Sequence, residues 1–393
     1  MSLRKKIVYG KKVLPGGTWR ALSAPVREPV HLMIAVADHF EPAIVPEHGD
    51  QRVPRPEQER RLEWWAREYP KAVERWRDHD GRPFAHTYFY PAEQYDEGLL
   101  EMIADHCHAG WGEIEVHLHH GMSEPDTAEN TRRLLTDFRD RLAFRHRCLA
   151  ADEGSGQPGY CFVHGNFALA NSAGGSFCGV ESEMKVLAET GCYADFTLPT
   201  GHYHPAQTAK INSLYECGLP LEQAAPHRKG NNLRAGRAPR IFPLIVQGPL
   251  LVDFRRSRRS LRPVFESGAI TASNPMSLSR LALWKQARVH VAGRADWLFI
   301  KLHCHSMNPT QKDAVVGDPF RKFLEQLVGG ADERKEALHF VTAREMTNII
   351  LAACDGKDGN PGEYRDYRFK LFRDLPASPK KSDSLPVVIG VKG

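Results

Sequence analysis

The chain has 393 residues, of which 41% are hydrophobic and 26% are charged, and its 53 basic and 48 acidic residues give a formal net charge of +5. This composition is typical of a globular protein with one large α/β domain or two smaller domains. No apolar run approaches the roughly 20 residues of a membrane span. The charged N-terminus lacks the apolar segment of a secretory signal, so the cytoplasm is the expected location.

Basic residues are dense only at 255–259 (RRSRR). We interpret this stretch as a solvated loop, because no nucleic-acid-binding signature accompanies it, and we expect no nucleic-acid or membrane partner. The eight cysteines form no CxxC pair and lie in apolar runs or at helix-like positions. This pattern predicts buried free thiols rather than disulfides or a structural zinc knuckle.

From residue 30 onward, predicted strands and helices alternate. The first strand is a continuous apolar run over 30–38, and a Pro-rich loop leads to a helical pattern over 57–78. Pro70 predicts a break or a second helix start inside that pattern. The next elements are, in chain order, a strand at 85–91, a helix at 93–110, a strand at 113–120, a helix at 128–149, a strand at 160–165, a helix around 181–190 and a strand at 194–199.

The segment 200–275 interrupts this alternation, and we interpret it as an inserted lid or side wall with one apolar run. The remaining elements are a helix at 277–290, a strand at 297–303, a helix at 316–328, a strand at 339–343 and a helix at 344–354. Alternation without an internal repeat predicts a mostly parallel, closed or nearly closed (β/α) barrel. We place this domain at 30–375, between an N-terminal extension (1–29) and a C-terminal tail (376–393).

Histidines and acids follow four of the apolar, strand-like runs at the point where each run ends. The four strings are HLMIAVADHFEP (31–42), EIEVHLHHG (113–121), YCFVHGN (160–166) and DWLFIKLHCHS (296–306). In α/β folds the strand ends are where functional side chains collect. Imidazoles and carboxylates that converge from separate strands are also how a protein builds a metal site with an open position.

Two of these strings carry the candidate metal ligands. His117 and His119 point to the same face of a strand, because side chains alternate, and His120 could replace either where the strand turns into a loop. Asp38 ends the first strand and is followed by His39 and Glu41. The string DHFEP therefore offers a base, a ligand and a spare acid, and the sequence leaves their roles open.

The other strand ends supply further candidates. His303 and His305 share one face of a late strand, where one of them is a further ligand or a general acid. His164, Asn166 and Asp195 are candidates for substrate contact or for a supporting polar network. No GxSxG, Walker loop or GxGxxG after a strand is present, which argues against serine hydrolases, P-loop enzymes and dinucleotide binding.

From about residue 30 to residue 354, the order of these strings resembles the polysaccharide deacetylase-like group of the glycoside hydrolase/deacetylase barrel superfamily. In that family a first strand ends in paired acids, one a catalytic base and one a metal ligand, and VADHFEP stands in that place. EIEVHLHHG is similar to the family's second motif. FIKLH followed by HFVTAREM resembles its late strand and strand–helix step, and GCYADFTLP resembles its Gly to Tyr-x-Asp strand.

The chain departs from the family pattern at three places. The paired acids are replaced by Ala37-Asp38-His39, so either Asp38 takes the base position and His39 the ligand position, or Asp38 is the ligand and the base is missing. The family's two histidines are usually four residues apart, whereas they are His117, His119 and His120 here. The arginine-proline motif is not apparent. The resemblance implies the fold, a distorted or incomplete seven-stranded barrel, more safely than the activity.

These observations predict a metal-dependent hydrolase that removes acyl groups from a carbohydrate. The expected cofactor is a divalent cation, most fittingly zinc. The predicted roles are metal binding by Asp38, His39, His117 and His119, catalysis by Glu41 and His303, and substrate binding by His120, His164, Asn166, Asp195 and His305. One alternative is a metal-dependent phosphoesterase or amidohydrolase barrel, suggested by the two HxH strings. Another is a catalytically inactive barrel that binds glycan through aromatics such as Trp64 and Trp65.

Overall fold

The computed structural model describes residues 28–46, 48, 51–201, 204–260 and 262–375. The predicted tail lies outside these residues, as does the predicted N-terminal extension apart from its last two residues. The helices are α1 (Arg55–Val73), α2 (Glu97–His108), α3 (Ala128–Asp140), α4 (Glu183–Glu189), α5 (Phe254–Ser260), α6 (Leu278–Ala287), α7 (Asp313–Val316), α8 (Asp318–Gly329) and α9 (Ala343–Cys354).

The strands follow the predicted alternation with these helices, with several short strands added. They are β1 (Val30–His39), β2 (His86–Pro91), β3 (Gly112–Leu118), β4 (Ala150–Asp152), β5 (Pro158–His164), β6 (Cys192–Asp195), β7 (Leu214–Cys217), β8 (Gly230–Asn232), β9 (Leu244–Val246), β10 (Leu251–Val252), β11 (Phe265–Glu266), β12 (Trp297–Cys304), β13 (Glu336–Phe340) and β14 (Phe369–Leu371).

Most strands belong to one sheet, in the order β12-β1-β2-β3-β5-β6-β9-β7-β8. Every pairing from β12 to β9 is parallel, and β7 is antiparallel to both of its neighbours. The predicted mixed α/β fold with a largely parallel sheet is therefore confirmed. The predicted closure is not shown, because β12 and β8 do not pair with each other in the described part of the chain and the sheet is open.

The side chains of β1 alternate between two hydrophobic cores. The even-numbered residues from Leu32 to Val36 belong to a core shared with α1, α2, α3, α4, α6 and α8, and we call this side of the sheet the outer face. The odd-numbered residues from Met33 to Ala37 belong to a second core shared with α9, and we call this side the inner face. Both faces of the strand are buried, which explains its continuous apolar run.

The helix α9 packs against β1 and β5 on the inner face, and all of its residues except Glu345 are buried. A helix that is enclosed on all sides is expected to be apolar around its circumference, as this one largely is. Its first turn is closed by a capping box, in which Thr342 and Glu345 satisfy each other's backbone N–H groups.

The outer face is covered by amphipathic helices, as the sequence predicts. In α1, Leu62, Trp65 and Tyr69 form the buried stripe. The predicted break at Pro70 is wrong, because α1 continues through it to Val73. A proline so close to the C-terminal end removes only one backbone hydrogen bond, and the buried stripe holds the remaining turn in place.

The segment 200–275 does more than form a lid or side wall. Its strands β7, β8 and β9 extend the central sheet beyond β6, while β10 and β11 form a separate two-stranded sheet. The basic stretch 255–259 lies in α5, so it is a short helix without buried residues rather than a loop. All eight cysteines are free and buried, as predicted, and the described helices include none with the length and apolarity needed to cross a bilayer.

Candidate metal centre

Strand alternation distributes the predicted site residues between the two faces of the sheet. His39 shares the parity of the inner-face residues of β1, and His303 shares that of the inner-face residues of β12. His117 has the parity opposite to that of the outer-face residues of β3, so it also points to the inner face. Asp38 has the opposite parity and points to the outer face. The residues predicted to form one site are therefore divided into separate groups.

The inner face carries a group that we call the open cluster: His39, Glu41, His117, His119, His303 and His305. Donor atoms of His39, Glu41 and His117 lie within 4.8 Å of one another, close enough to hold one metal ion. The His39 ring centroid lies 4.8 Å from that of His117 and 4.6 Å from that of His305. The His119 side chain is 19% exposed, compared with 11% for Glu41 and 0% for His117.

The tautomer of His117 is fixed by the backbone. Its Nδ1 donates to the carbonyl of Val163 at 2.9 Å, so the neutral ring directs a lone pair from Nε2 into the cluster. That Nε2 lies 3.3 Å from Oε1 of Glu41, which also presents lone pairs. Two acceptors at this distance repel each other unless a proton or a cation lies between them. The donor set therefore fits a divalent metal.

Two further histidines of the open cluster are held in the neutral form that metal ligands require. Burial, reinforced by His305 and His117, lowers the pKa of His39 well below its usual value. Burial and the nearby Lys301 do the same for His303. The Nδ1 atoms of His39 and His303 are buried and have no hydrogen-bond partner among the described residues. Orphaned buried polar atoms of this kind call for an explanation such as an ion.

The carboxylates at this site stay ionised. Burial alone would raise the pKa of Glu41, but the neighbouring His117, His305 and His119 lower it to about 2. Glu93 accepts a hydrogen bond from Nδ1 of His119 at 2.8 Å. Burial opposes protonation of His119, but Glu93 and Glu41 outweigh it and raise the pKa of His119. His119 and Glu93 thus form a dyad beside the open cluster.

Asp38 is separated from this site. Its side chain is fully buried on the outer face, where it lies 3.2 Å from Nδ1 of His86 and accepts the Ser306 N–H at 2.9 Å. With His86 and Cys304 it forms another group that could hold a metal ion. Asp38 and His117 were expected to share one cation. They do not fit this arrangement, because Asp38 points to the outer face of the sheet whereas His117 points to the inner face.

Two residues predicted to bind substrate lie in a third group, which we call the closed cluster: His120, His164, Cys178 and Glu183. Nε2 of His120 lies 2.9 Å from Oε1 of Glu183 and 3.1 Å from Nε2 of His164. Burial opposes a charge on His120, but Glu183 and Asp126 raise its pKa to about 12, whereas burial lowers the pKa of His164 to about 3. All four side chains are buried, so none of them is positioned to contact a substrate in solution.

The remaining predicted contacts divide between the surface and the interior. Asn166 is partly exposed, and its side-chain nitrogen lies 2.8 Å from the sulfur of Met122. Asp195 is fully buried and accepts hydrogen bonds from the backbone N–H and the hydroxyl of Thr197. Burial raises the pKa of Asp195 to about 7, and burial lowers the pKa of the neighbouring Lys301 to about 7. Asp195 is thus part of a supporting polar network.

Sequence reasoning missed three carboxylate or thiol groups at these sites. Glu93 lies two residues after the end of β2, and its position near a strand end was an available signal. Cys178 lies in a Gly/Ser-rich loop and Glu183 begins α4, so neither follows a strand. Only the folding of the 165–182 segment back onto the end of β3 brings them to His120.

The aromatic residues considered as a sugar platform are mostly core. Trp65, Tyr88, Phe89 and Tyr90 are fully buried. Trp64 is partly exposed and lines a cavity of about 260 Å³ beside Ser306 and Met307. This cavity adjoins the chain segment that directly follows His305.

Comparisons with known proteins assign no family, since no family model and no curated protein matches the chain. The residues and their geometry carry the functional argument. Buried groups of His, Cys, Asp and Glu that could hold a metal ion are present on both faces of the sheet.

Proposed function

We propose that this protein is a metal-dependent hydrolase whose divalent cation, most fittingly zinc, is held by His39, Glu41 and His117. The observation that carries the proposal is the convergence of their donor atoms within 4.8 Å. Two imidazoles and one carboxylate form a donor set used by catalytic zinc sites with an open position. Glu41, for which the sequence suggested a catalytic role, becomes a ligand in this proposal.

When bound, such a cation polarises an acyl carbonyl and lowers the pKa of water. The dyad of His119 and Glu93 moves the proton. Neutral His119 accepts a proton from the attacking water, whose oxygen bonds to the acyl carbon. The resulting imidazolium then gives that proton to the leaving nitrogen or oxygen as its bond to the acyl carbon breaks. Glu93 orients the ring and stabilises its charged form.

His119 suits this task better than His303, which the sequence favoured. Burial lowers the pKa of His303 well below its usual value, so a neutral ring there is a poor proton donor. The His119 side chain is partly exposed and lies 3.7 Å from Oε1 of Glu41. A substrate that reaches the cation therefore also reaches His119.

The proposed substrate is an N- or O-acylated carbohydrate, and the proposed fold is a distorted deacetylase-like barrel. The substrate class rests on the resemblance of VADHFEP and EIEVHLHHG to the deacetylase motifs and on the partly exposed Trp64, which lines a cavity beside Ser306. For the fold, Nζ of Lys301 on β12 donates to the carbonyl of Phe196, the residue after β6, at 2.7 Å. A contact between strands this far apart in the sheet order favours strong curvature.

The test combines metal analysis with a substrate panel. We expect protein purified without added metal to contain a divalent cation, and acetylated chito-oligomers and aryl acetates to be hydrolysed. His117→Ala should abolish turnover, whereas His48→Ala, at an exposed position, should retain it. Absence of turnover by zinc- or cobalt-loaded protein on every acyl substrate would overturn the proposal, and glycan binding without turnover would support the inactive barrel instead.

A second candidate, a metal-dependent phosphoesterase, is favoured by the surplus of imidazoles in the open cluster. His303 and His305 lie beside His39 in addition to the three proposed ligands, with ring centroids 6.4 and 4.6 Å from it. Because a catalytic zinc site usually needs only three protein ligands, the extra rings would suit a second cation. Hydrolysis of aryl phosphates without hydrolysis of aryl acetates would select this candidate.

A further inference from the structure

We infer that the closed cluster is a second, structural metal site, in which His120, His164, Cys178 and Glu183 hold a zinc-like cation. This site is distinct from the open cluster, and Cys178 is the one cysteine among the ligands proposed for the two sites. Zinc binds imidazole, thiolate and carboxylate ligands, and structural zinc sites have four protein ligands with no open position.

The spacing of the donor atoms suits one tetrahedral ion. Ligand atoms about 2.0–2.3 Å from a shared zinc lie roughly 3.3–3.7 Å from one another. Oε1 of Glu183 lies 2.9 Å from Nε2 of His120 and 3.8 Å from Nε2 of His164. The sulfur of Cys178 lies 3.6 Å from the other oxygen of Glu183. Small adjustments of buried side chains reach the tetrahedral spacing.

Three polar atoms converge on one point, and no placement of the ring protons satisfies all of their contacts. Nε2 of His120 faces both Oε1 of Glu183 and Nε2 of His164, and a proton on this nitrogen points at only one of them. A cation in place of that proton interacts with all three lone pairs. Coordination by Nε2 of His164 moves its ring proton to Nδ1, so the present 3.2 Å contact with the Asn166 N–H has to lengthen.

The side chain of Cys178 is surrounded by hydrogen-bond donors of the kind that a metal-bound thiolate uses. Its sulfur accepts the backbone N–H groups of Asn171 at 3.3 Å and Val180 at 3.4 Å. Hydrogen bonds from backbone N–H groups to sulfur stabilise the negative charge of a ligating thiolate. A buried thiol that acted only as a small apolar group would not need two such donors.

The other ligands are oriented by partners outside the cluster. Nδ1 of His120 donates to Asp126 at 2.9 Å, and Asp126 in turn accepts the hydroxyl of Thr131 at 2.8 Å. Glu183 accepts the Ala170 N–H with the oxygen that faces away from His120. A carboxylate behind a ligating histidine is a recurrent feature of zinc sites, because it fixes the tautomer and raises the basicity of the ring.

The cluster fastens the 165–182 segment to the end of β3. Gly121 allows the close approach, since a Cβ there would lie 2.3 Å from the carbonyl of Cys178. Phe167, Ala170, Asn171 and Phe177 of this segment have positive φ angles. Such backbone is strained and persists only where surrounding contacts hold it. The same segment places Phe167 beside His39, with ring centroids 6.1 Å apart, so the closed cluster also shapes the open one.

Cobalt substitution tests this inference on the intact chain. Protein produced in cobalt-supplemented medium should show thiolate-to-cobalt charge-transfer absorption, because the closed cluster includes a sulfur ligand. Cys178→Ser should lose this absorption and one equivalent of bound metal. Cys304→Ser is the matched control, since Cys304 is equally buried and lies in the Asp38 group, and it should retain the absorption.

This experiment distinguishes a failure of the inferred second metal site from a failure of the proposed function. His117→Ala should lose the open-cluster cation but keep the sulfur absorption, because the open cluster has no cysteine. Absence of the absorption in cobalt-containing wild-type protein would overturn the inference without any variant having to fold. Persistence of the absorption in Cys178→Ser, or its loss in Cys304→Ser, would overturn it equally.

Discussion

Buried histidines and acids have different surroundings on the two faces of the central sheet. On the outer face, His120, His164 and Asp38 are enclosed by helices and by the 165–182 segment, and their polar atoms have protein partners. On the inner face, His39 and His303 keep buried nitrogens without a hydrogen-bond partner among the described residues. A one-residue offset along a strand thus separates a group that holds the fold from a group that is free to bind.

This difference resembles that between structural and catalytic metal sites. Structural sites have a full set of protein ligands, whereas catalytic sites keep one position for water or substrate. Substitutions on the outer face should therefore change stability, and substitutions on the inner face should change metal binding and turnover.

The largest effect on stability is expected for Glu183→Ala. Removal of this buried carboxylate leaves His120 without one of its two acidic partners, and breaking a buried ion pair from one side costs about 3–5 kcal/mol. Chemical denaturation should show this loss in the free energy of unfolding. Glu189→Ala, at the exposed end of the same helix, should change stability by no more than about 0.5 kcal/mol. Equal effects of the two substitutions would contradict a structural role for the outer face.

Stability should also depend on pH through His106, a buried histidine of α2 that is hydrogen-bonded to Tyr88. Burial, with a contribution from His86, lowers its pKa to about 4. The unfolded chain therefore binds a proton more readily, and stability is lost as pH falls from about 6.5 to about 4, by at most about 3 kcal/mol. His106→Gln should show a shallower loss over this range.

The control for this pH dependence is His48→Gln, because His48 is exposed. In denaturation curves measured at several pH values, the free energy of unfolding of His48→Gln should depend on pH in the same way as that of the wild type. An unchanged pH dependence in His106→Gln would show that burial of this ring does not contribute to acid sensitivity.

A third comparison contrasts Asp38 with Glu41, which lie on opposite faces. Asp38→Ala leaves the Ser306 N–H and His86 without their buried acceptor and should lower the free energy of unfolding by about 1–3 kcal/mol. The metal content of the open cluster should stay unchanged. Glu41→Ala should instead lower that metal content. If Asp38→Ala removed the open-cluster metal while Glu41→Ala did not, the assignment of ligands to faces would be wrong.

The smallest effect is expected for Glu93→Gln, which keeps the shape of the side chain but removes its charge. His119 then loses the carboxylate that orients it, and kcat should fall by about 10–100-fold while the metal stays bound. Glu97→Gln, at an exposed position on α2, should leave kcat unchanged. A fall in metal content with unchanged kcat per bound metal would place His119 among the ligands instead.

Much of the fold follows from sequence patterns. The continuous apolar run of β1, the helical stripe of α1 and the order of strands and helices were all predictable, because a parallel sheet buried on both faces requires them. The prediction of a helix break at Pro70 was wrong, because the tertiary packing of Tyr69 and Val73 outweighs the loss of one hydrogen bond. The extension of the sheet by β7 to β9 was not predictable, because these strands are only three or four residues long.

The sequence by itself determined which strands end in histidine and acid, and alternation alone placed His117 with His119 and His303 with His305. It did not determine that the side chains of Asp38 and His39 point to opposite faces of the sheet. That follows from strand alternation only once β1 is known to extend to His39. Only the tertiary structure brought Cys178 and Glu183 to His120, and Glu93 to His119. Such contacts arise from the path of loops, which no local periodicity encodes, and they decide which donor atoms converge.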